Sequence, residues 1–168
     1  NTFSISLIVA VLQTLVASLT GYGFARFRFR GRNFLFGMLL FTIIVPPQTY
    51  IAQTFVKFLY FKPLIIGPTF NTVNTLLPFI LPAMFGMGLR SGLFAYIYRQ
   101  FFRGLPSELE DAARIDGSST YHTFLFVMMP NARPAIVTVC MLSLVWNWND
   151  AFTQTFLSTS RVTVAVFL

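Results

Sequence analysis

Charged side chains are scarce in this chain, and acidic ones are scarcer still. Of its 168 residues, 10% are charged and 55% are hydrophobic, with five Asp or Glu against twelve Lys or Arg. Soluble domains carry about 25% charged residues, so this composition excludes an ordinary soluble domain. We therefore expect an integral membrane protein. Its basic residues flank apolar runs, which indicates orientation in a lipid bilayer and argues against nucleic acid as a partner.

Cysteine and the signatures of catalysis are also nearly or wholly missing. The single cysteine, Cys140, has no partner for a disulfide, and the single histidine, His122, lies in no recognised catalytic motif. No Cys/His cluster predicts a metal site. The motifs G-x-S-x-G, H-E-x-x-H and G-x-x-x-x-G-K-[ST] are absent. We expect a protein that is not an enzyme, has no catalytic residues and no cofactor, and depends on a partner for any energy from ATP.

Four apolar stretches predict an all-α fold, a polytopic bundle of transmembrane helices. They cover residues 2–24, 34–56 and 73–98, with the body of a fourth at 135–150. A helix needs roughly 20 apolar residues to span a bilayer. The first stretch carries a stripe of small residues, typical of close helix packing: Ser6, Ala10, Thr14 and Ser18. We expect residues 1–168 to form a single transmembrane domain that continues, beyond the sequence, into further helices at both ends.

The positions of the arginines predict which connections face the cytoplasm, because cytoplasmic loops carry an excess of Lys and Arg. Two connections are rich in arginine, one around residue 30 and the other from residue 99 to residue 133. The opposite side carries only Lys57, Lys62 and Arg161. The two arginine-rich connections are therefore predicted to be cytoplasmic, with both chain ends outside.

Polar groups within the predicted spans are candidates for lining a transport pathway. Pro46 and Pro47 break the second span and free backbone carbonyls, which a membrane tolerates only beside protein or water. Gln48 and Gln53 follow this break, and Arg90 lies within the third span. We hypothesise that these three side chains line the pathway. The alternatives are hydrogen bonds between helices for the two amides, and snorkelling or a structural pair for Arg90.

Four of the five acidic residues lie between residues 105 and 134. Ser107 and Glu110 have the spacing of a capping box, which predicts a helix over residues 108–116. Gly117 supplies a residue able to adopt the left-handed conformation that ends a helix. A second helix is predicted to follow, capped by Ser118 or Ser119 and interrupted by Pro130.

This acidic segment resembles the "EAA" cytoplasmic loop of ABC importer permeases. The family pattern is Glu-Ala-Ala, three residues, Gly, and later Leu-Pro. The chain has Asp111-Ala112-Ala113, three residues and Gly117, then Met129-Pro130. Asp for Glu keeps the carboxylate, and Met for Leu keeps an apolar side chain. The strings GYGFARFRFRGR and WNWND are also similar to strings in permeases of carbohydrate importers.

The resemblance implies a permease subunit that moves sugars or oligosaccharides across a bacterial or archaeal cell membrane by alternating access. Implied partners are a cytoplasmic ATP-binding-cassette ATPase dimer, a second permease subunit, identical or homologous, and an extracytoplasmic solute-binding protein. The loop at 105–134 would be the coupling loop that docks into the ATPase. The residues implied at this interface are Glu108, Asp111, Ala112, Ala113, Asp116, Gly117 and Pro130.

Three alternatives to a sugar permease stay open at this point. An ABC permease for another small polar solute would share the same loop. A secondary transporter or channel would be expected to carry intramembrane carboxylates or an internal repeat, and neither is evident. A membrane enzyme is disfavoured by the missing catalytic motifs.

Overall fold

The computed structural model describes residues 2–46, 49–62, 70–73 and 75–150. These residues form α-helices joined by short connections, as the apolar stretches predict. We number the helices α1 (Thr2–Arg26), α2 (Arg32–Ile44), α3 (Ile51–Leu59), α4 (Leu77–Met84), α5 (Ser91–Gly104), α6 (Glu108–Ile115), α7 (Thr120–Asn131) and α8 (Arg133–Asn149). In the described part, extended backbone pairs only in an isolated bridge between Phe61 and Phe70.

Helix α1 is the centre of the packing and contacts α4, α5 and α8. Its predicted stripe of small residues is buried, whereas Leu15 and Leu19 point outward and are about half exposed. Gly21 allows α5 to come close. A Cβ atom at this position would collide with Tyr98 and lie 2.9 Å from the backbone nitrogen of Arg99.

Among the described helices, α1 is long and apolar enough to cross a membrane by itself. Helices α7 and α8 reach that length only as a pair, and they are bent by 79° relative to each other. The predicted second span is divided into α2 and α3, and the predicted third span into α4 and α5. The second and third apolar stretches are therefore continuous in sequence, but each one is divided into two helices in the structure.

The break between α2 and α3 follows from local chemistry. Helix α2 ends at Ile44, and Val45 is extended with ψ 117°. A proline disfavours helical backbone in the residue before it, and Pro46 occupies that position. Thr49 then closes a turn, since its amide and hydroxyl both donate to the Pro46 carbonyl, at 3.1 and 2.8 Å. The predicted break is confirmed.

Aromatic side chains fill the core at the end of the bundle that carries α6. The Tyr22 ring of α1 lies 5.5 Å from Phe102 of α5 and 5.0 Å from Phe124 of α7, measured between ring centroids. Phe102 is fully buried, and Tyr22 and Phe124 are nearly so. The Tyr22 ring of α1 thus packs against both α5 and α7, the helices that precede and follow α6 in the chain.

Candidate functional site

Helix α6 begins and ends close to the predicted positions. It covers Glu108–Ile115, and Gly117 follows in the left-handed conformation with φ 79°. The Gly117 amide donates to the Arg114 carbonyl at 3.0 Å, and the Ser118 amide donates to the Ala113 carbonyl at 2.9 Å. These two bonds are those of a Schellman motif, which satisfies the last carbonyls of the helix. The predicted helix end is confirmed.

The predicted capping box at the start of α6 is wrong. Ser107 has helical backbone angles and makes no side-chain capping bond. The Glu110 carboxylate turns inward instead, accepting a hydrogen bond from the Tyr22 hydroxyl at 2.7 Å. It also lies 3.6 Å from Nε of Arg26. A capping box is inferred from neighbouring residues, whereas Tyr22 and Arg26 belong to a helix more than 80 residues away and compete for the same carboxylate.

Helix α6 has a buried face and an exposed face. Glu110 and Ala113 are buried and point to the bundle, while Ala112 is exposed. Ile115 has 87% of its surface exposed, which is unusual for so large an apolar side chain. The other outward residues are Glu108, Asp111, Arg114 and Asp116. Among the predicted interface residues of α6, Ala113 therefore lies on the buried face. The others lie on the exposed face: Glu108, Asp111, Ala112 and Asp116.

Helix α7 begins as predicted but does not stop at its proline. Ser119 caps it by accepting a hydrogen bond from the His122 amide at 3.3 Å. The helix then passes through a π turn over Phe124–Met128 and includes the exposed Pro130. The interruption predicted at Pro130 is therefore wrong, and the bend comes at Ala132.

A cavity of about 820 Å³ lies between α1, α3, α4 and the end of α8. Its wall is largely apolar and includes the aromatic residues Tyr50, Phe58 and Phe79. The polar and charged residues of the wall are Gln13, Thr54, Lys57, Lys62, Asn147 and Asp150. Small-molecule sites have volumes of about 300–1,000 Å³ and the same mixture of apolar wall and few polar groups. The cavity can therefore accommodate a small polar solute.

Gln13 is the buried polar centre beside this cavity. Its carbonyl oxygen accepts hydrogen bonds from the Ser143 hydroxyl and from Asn147 Nδ2, the latter at 3.1 Å. Its own amide donates to the Leu89 carbonyl at 3.1 Å. One side chain thus joins α1, α8 and the connection between α4 and α5. Gly88 has no room for a Cβ atom, because that atom would collide with the Gln13 amide.

Gln13 was not predicted as a site residue, although the sequence carries a signal for it. Gln13 follows Ala10 by three positions, on the face that carries the small residues of α1. An amide on the packing face of an apolar helix needs a partner on another helix. That pattern would have predicted a hydrogen bond between helices, but not which helices provide it.

Of the three side chains hypothesised to line the pathway, the two that the structure describes, Gln53 and Arg90, are not among the residues of the cavity wall. Gln48 lies outside the described residues. Gln53 is exposed on α3, and its neighbour Thr54 lines the cavity in its place. Arg90 lies at the start of α5, where its guanidinium carbon is 4.6 Å from the centre of the Trp146 ring of α8. The structural pair named as an alternative for Arg90 is therefore the arrangement observed.

No group of three or more His, Cys, Asp and Glu side chains that could hold a metal ion occurs within the described ranges. The described residues offer an exposed outer face on α6 and a few polar groups at the cavity wall.

Comparison with known proteins identifies a matching protein family. Residues 3–166 match the family described as binding-protein-dependent transport system inner membrane component. The chain is 32% identical over 150 residues to the arabinooligosaccharides transport system permease protein AraQ of Halalkalibacterium halodurans, a match covering 89% of this chain and 49% of AraQ. It is 28% identical over 150 residues to the lactose transport system permease protein LacG of Rhizobium radiobacter, covering 89% of this chain and 50% of LacG.

A third curated relative matches over a longer segment. The trehalose transport system permease protein SugB of Mycobacterium tuberculosis is 27% identical over 164 residues, covering 98% of this chain and 56% of SugB. The chain therefore spans about half the length of the curated relatives it matches.

A solved structure shares the fold. It is the crystal structure of a bacterial ABC transporter involved in the import of the acidic polysaccharide alginate, with a TM-score of 0.65 and 20% sequence identity. The match covers 94% of this chain and 53% of the chain in that structure. At this identity the likeness concerns the arrangement of helices.

Proposed function

Because this chain belongs to the family of binding-protein-dependent transport system inner membrane components, we propose that it forms part of the permease subunit of an ATP-driven importer. The observation that carries the proposal is α6, a short helix with a defined end and an outer face that is exposed. Residues 1–168 would belong to a single transmembrane domain, and residues 105–134 would be its cytoplasmic loop.

Helix α6 has the properties of a docking element for a cytoplasmic ATPase. Its outer face combines carboxylates with the exposed Ile115, and Ala112 lets a partner come close to the backbone. Its inner face is held to the bundle through Glu110 and Ala113. A helix fixed on one side and open on the other can pass a movement of its partner to the bundle. The proposed ATPase interface consists of Glu108, Asp111, Ala112, Ile115 and Asp116, with Gly117 ending the helix and Pro130 exposed on α7.

We infer that the solute passes through the cavity beside Gln13 and is a sugar or oligosaccharide. Relatives named for arabinooligosaccharides, lactose and trehalose support this class of substrate. The wall of the cavity supports it too, since apolar and aromatic surface with a few fixed polar groups suits a small polar ring. A second permease subunit and an extracytoplasmic solute-binding protein complete the proposed importer.

The test is a tryptophan at Ala112, which is exposed on α6. Ala112→Trp should leave insertion into the membrane unchanged, because its side chain points away from the bundle. It should reduce the ATPase that copurifies with the full-length permease by about tenfold, as substitutions at the centre of an interface do. Ala113 is unsuitable for this test, because a tryptophan on the buried face would disturb the bundle itself.

The matched control is Ala52→Trp, at an exposed alanine of α3. It adds the same bulk to a helix that does not belong to the proposed interface, and it should retain the ATPase. If Ala112→Trp copurifies with a full complement of ATPase and supports ATP-driven transport, α6 is not the docking element.

A further inference from the structure

Glu110 connects α6 to a helix that is distant in sequence. The backbone joins α6 only to α5 and α7, but the Glu110 carboxylate contacts two side chains of α1. Tyr22 donates its hydroxyl at 2.7 Å, and Nε of Arg26 lies 3.6 Å away. The side chains of Arg26 and Glu110 are 14% and 7% exposed, and Tyr22 is 4% exposed. We call these three residues the α1–α6 cluster.

The cluster also reaches the two helices that flank α6. Arg26 Nη2 donates a hydrogen bond to the Leu105 carbonyl at 2.8 Å, directly after the end of α5. The Tyr22 ring packs against Phe102 of α5 and Phe124 of α7. Every helix that adjoins α6 along the chain is therefore held by a residue of α1.

Burial strengthens the contact between Glu110 of α6 and the side chains of α1. A hydrogen bond to a carboxylate is about twice as strong as one between neutral groups. Removing one partner while α6 stays in place would leave a buried carboxylate incompletely paired, which costs far more than breaking an exposed pair. The exposed ion pair between Asp111 and Arg114 on the same helix has no such effect, because both side chains are more than 60% exposed. The buried contacts of Glu110 therefore hold α6 against α1, even though α6 is only eight residues long.

Helix α1 extends from the cluster to the cavity. Gln13 precedes Tyr22 by nine residues, so the two lie about 13 Å apart along the helix axis at 1.5 Å per residue. We propose that the α1–α6 cluster is the connection through which a displacement of α6 is passed to α1, and along α1 to Gln13 at the cavity wall. Tyr22, Arg26 and Glu110 are positioning residues in this proposal, which rests on the proposed function.

The first test measures the connection in the permease alone. Nitroxide labels at Leu19 of α1 and Ala112 of α6, both exposed, report the distance between the helices in the full-length permease, with Cys140 replaced by Ser. The distance distribution should be narrow in the parent protein. It should become wider in Tyr22→Phe, which removes only the hydroxyl, and in Glu110→Gln, which removes the charge. Equal widths in the parent and both variants would overturn the proposal.

The second test measures transmission in the complex with the ATPase, using ATP and vanadate as the probe. Labels at Leu7 of α1 and Lys57 of α3, both exposed, report the distance across the cavity region. ATP and vanadate should shift this distance in the parent complex. In Tyr22→Phe and Glu110→Gln the shift should fall by about twofold or more, the scale of mutational effects on coupling. ATPase binding should be unchanged, because the outer face of α6 is intact.

Tyr96→Phe is the matched control. It also removes a tyrosine hydroxyl, whose bond at 3.1 Å is to Gln100 within α5, and it should respond to ATP like the parent. A full response in the two cluster variants would overturn the proposal while leaving the proposed function in place. A parent permease that binds no ATPase would instead overturn the proposed function.

Discussion

At the scale of single residues, buried polar side chains hold together helices that are otherwise apolar. Gln13 joins three segments through its amide, and Glu110 joins α6 to α1. Arg99 is buried in α5 with its guanidinium carbon 3.7 Å from the centre of the Phe36 ring of α2. Burial of a polar group is costly unless it is paired, so each of these contacts fixes one relative position of its helices.

The contribution of Gln13 can be measured directly. Gln13→Leu removes an acceptor from Ser143 and Asn147 and a donor from the Leu89 carbonyl. Each buried group left unsatisfied costs about 1–3 kcal/mol, so the thermal unfolding temperature of the purified permease should fall measurably. ATP-driven uptake should fall with it, because Gln13 lines the cavity.

Gln100→Leu is the control for this substitution, since the Gln100 amide is exposed and bonds within its own helix. It should leave the unfolding temperature unchanged. If the two leucine variants unfold at the same temperature as the parent, Gln13 does not hold the three segments together.

At the scale of the elements, the breaks in the helices decide where side chains meet. The connection between α4 and α5 contains Gly86 and Arg90, both with positive φ, at 69° and 56°. Arg90 is the one non-glycine residue with positive φ in the described part of the chain. This conformation brings its guanidinium over Trp146 of α8, which itself stacks on Phe94 of α5.

The Arg90–Trp146 contact should therefore stabilise the protein. Arg90→Gln removes the cation and should lower stability by about 1 kcal/mol, the usual size of a cation–π contact. Trp146→Phe weakens the same contact, so the double variant should be less destabilised than the two single effects added together. Unfolding of the four proteins in detergent measures this. Strictly additive effects would show that the two residues do not interact energetically.

The elements also show what could be predicted from the sequence. The break after Ile44 and the end of α6 at Gly117 were predictable, because proline restricts the backbone of the residue before it and glycine readily adopts the left-handed conformation. The inward turn of Glu110 was not, because it depends on Tyr22 and Arg26 of a helix that is distant in sequence. The same limit applies to the cavity wall: Thr54 faces the cavity and Gln53 does not, a difference that local sequence does not decide.

At the scale of the whole molecule, the arginines predict the orientation in the membrane. In a permease of this orientation, cysteines at Arg30 and Thr120 should be shielded from an impermeant thiol reagent in intact cells, with Cys140 replaced first. A cysteine at Lys62 should be labelled. All three positions are exposed in the structure, so protection can come only from the membrane or a partner. Labelling of the permeabilised cells provides the control, and strong labelling of position 120 in intact cells would contradict the orientation.

Docking of α6 into an ATPase can be measured most directly as a covalent contact between the two proteins. A photoreactive phenylalanine analogue at Ile115, which is 87% exposed on α6, should crosslink to the ATPase subunit in membranes containing the full importer. The same analogue at Met38, which is 55% exposed on α2, should not. An ATPase adduct at position 115 and none at position 38 is the result predicted. No ATPase adduct at position 115, or equal adducts at both positions, would contradict the proposed function.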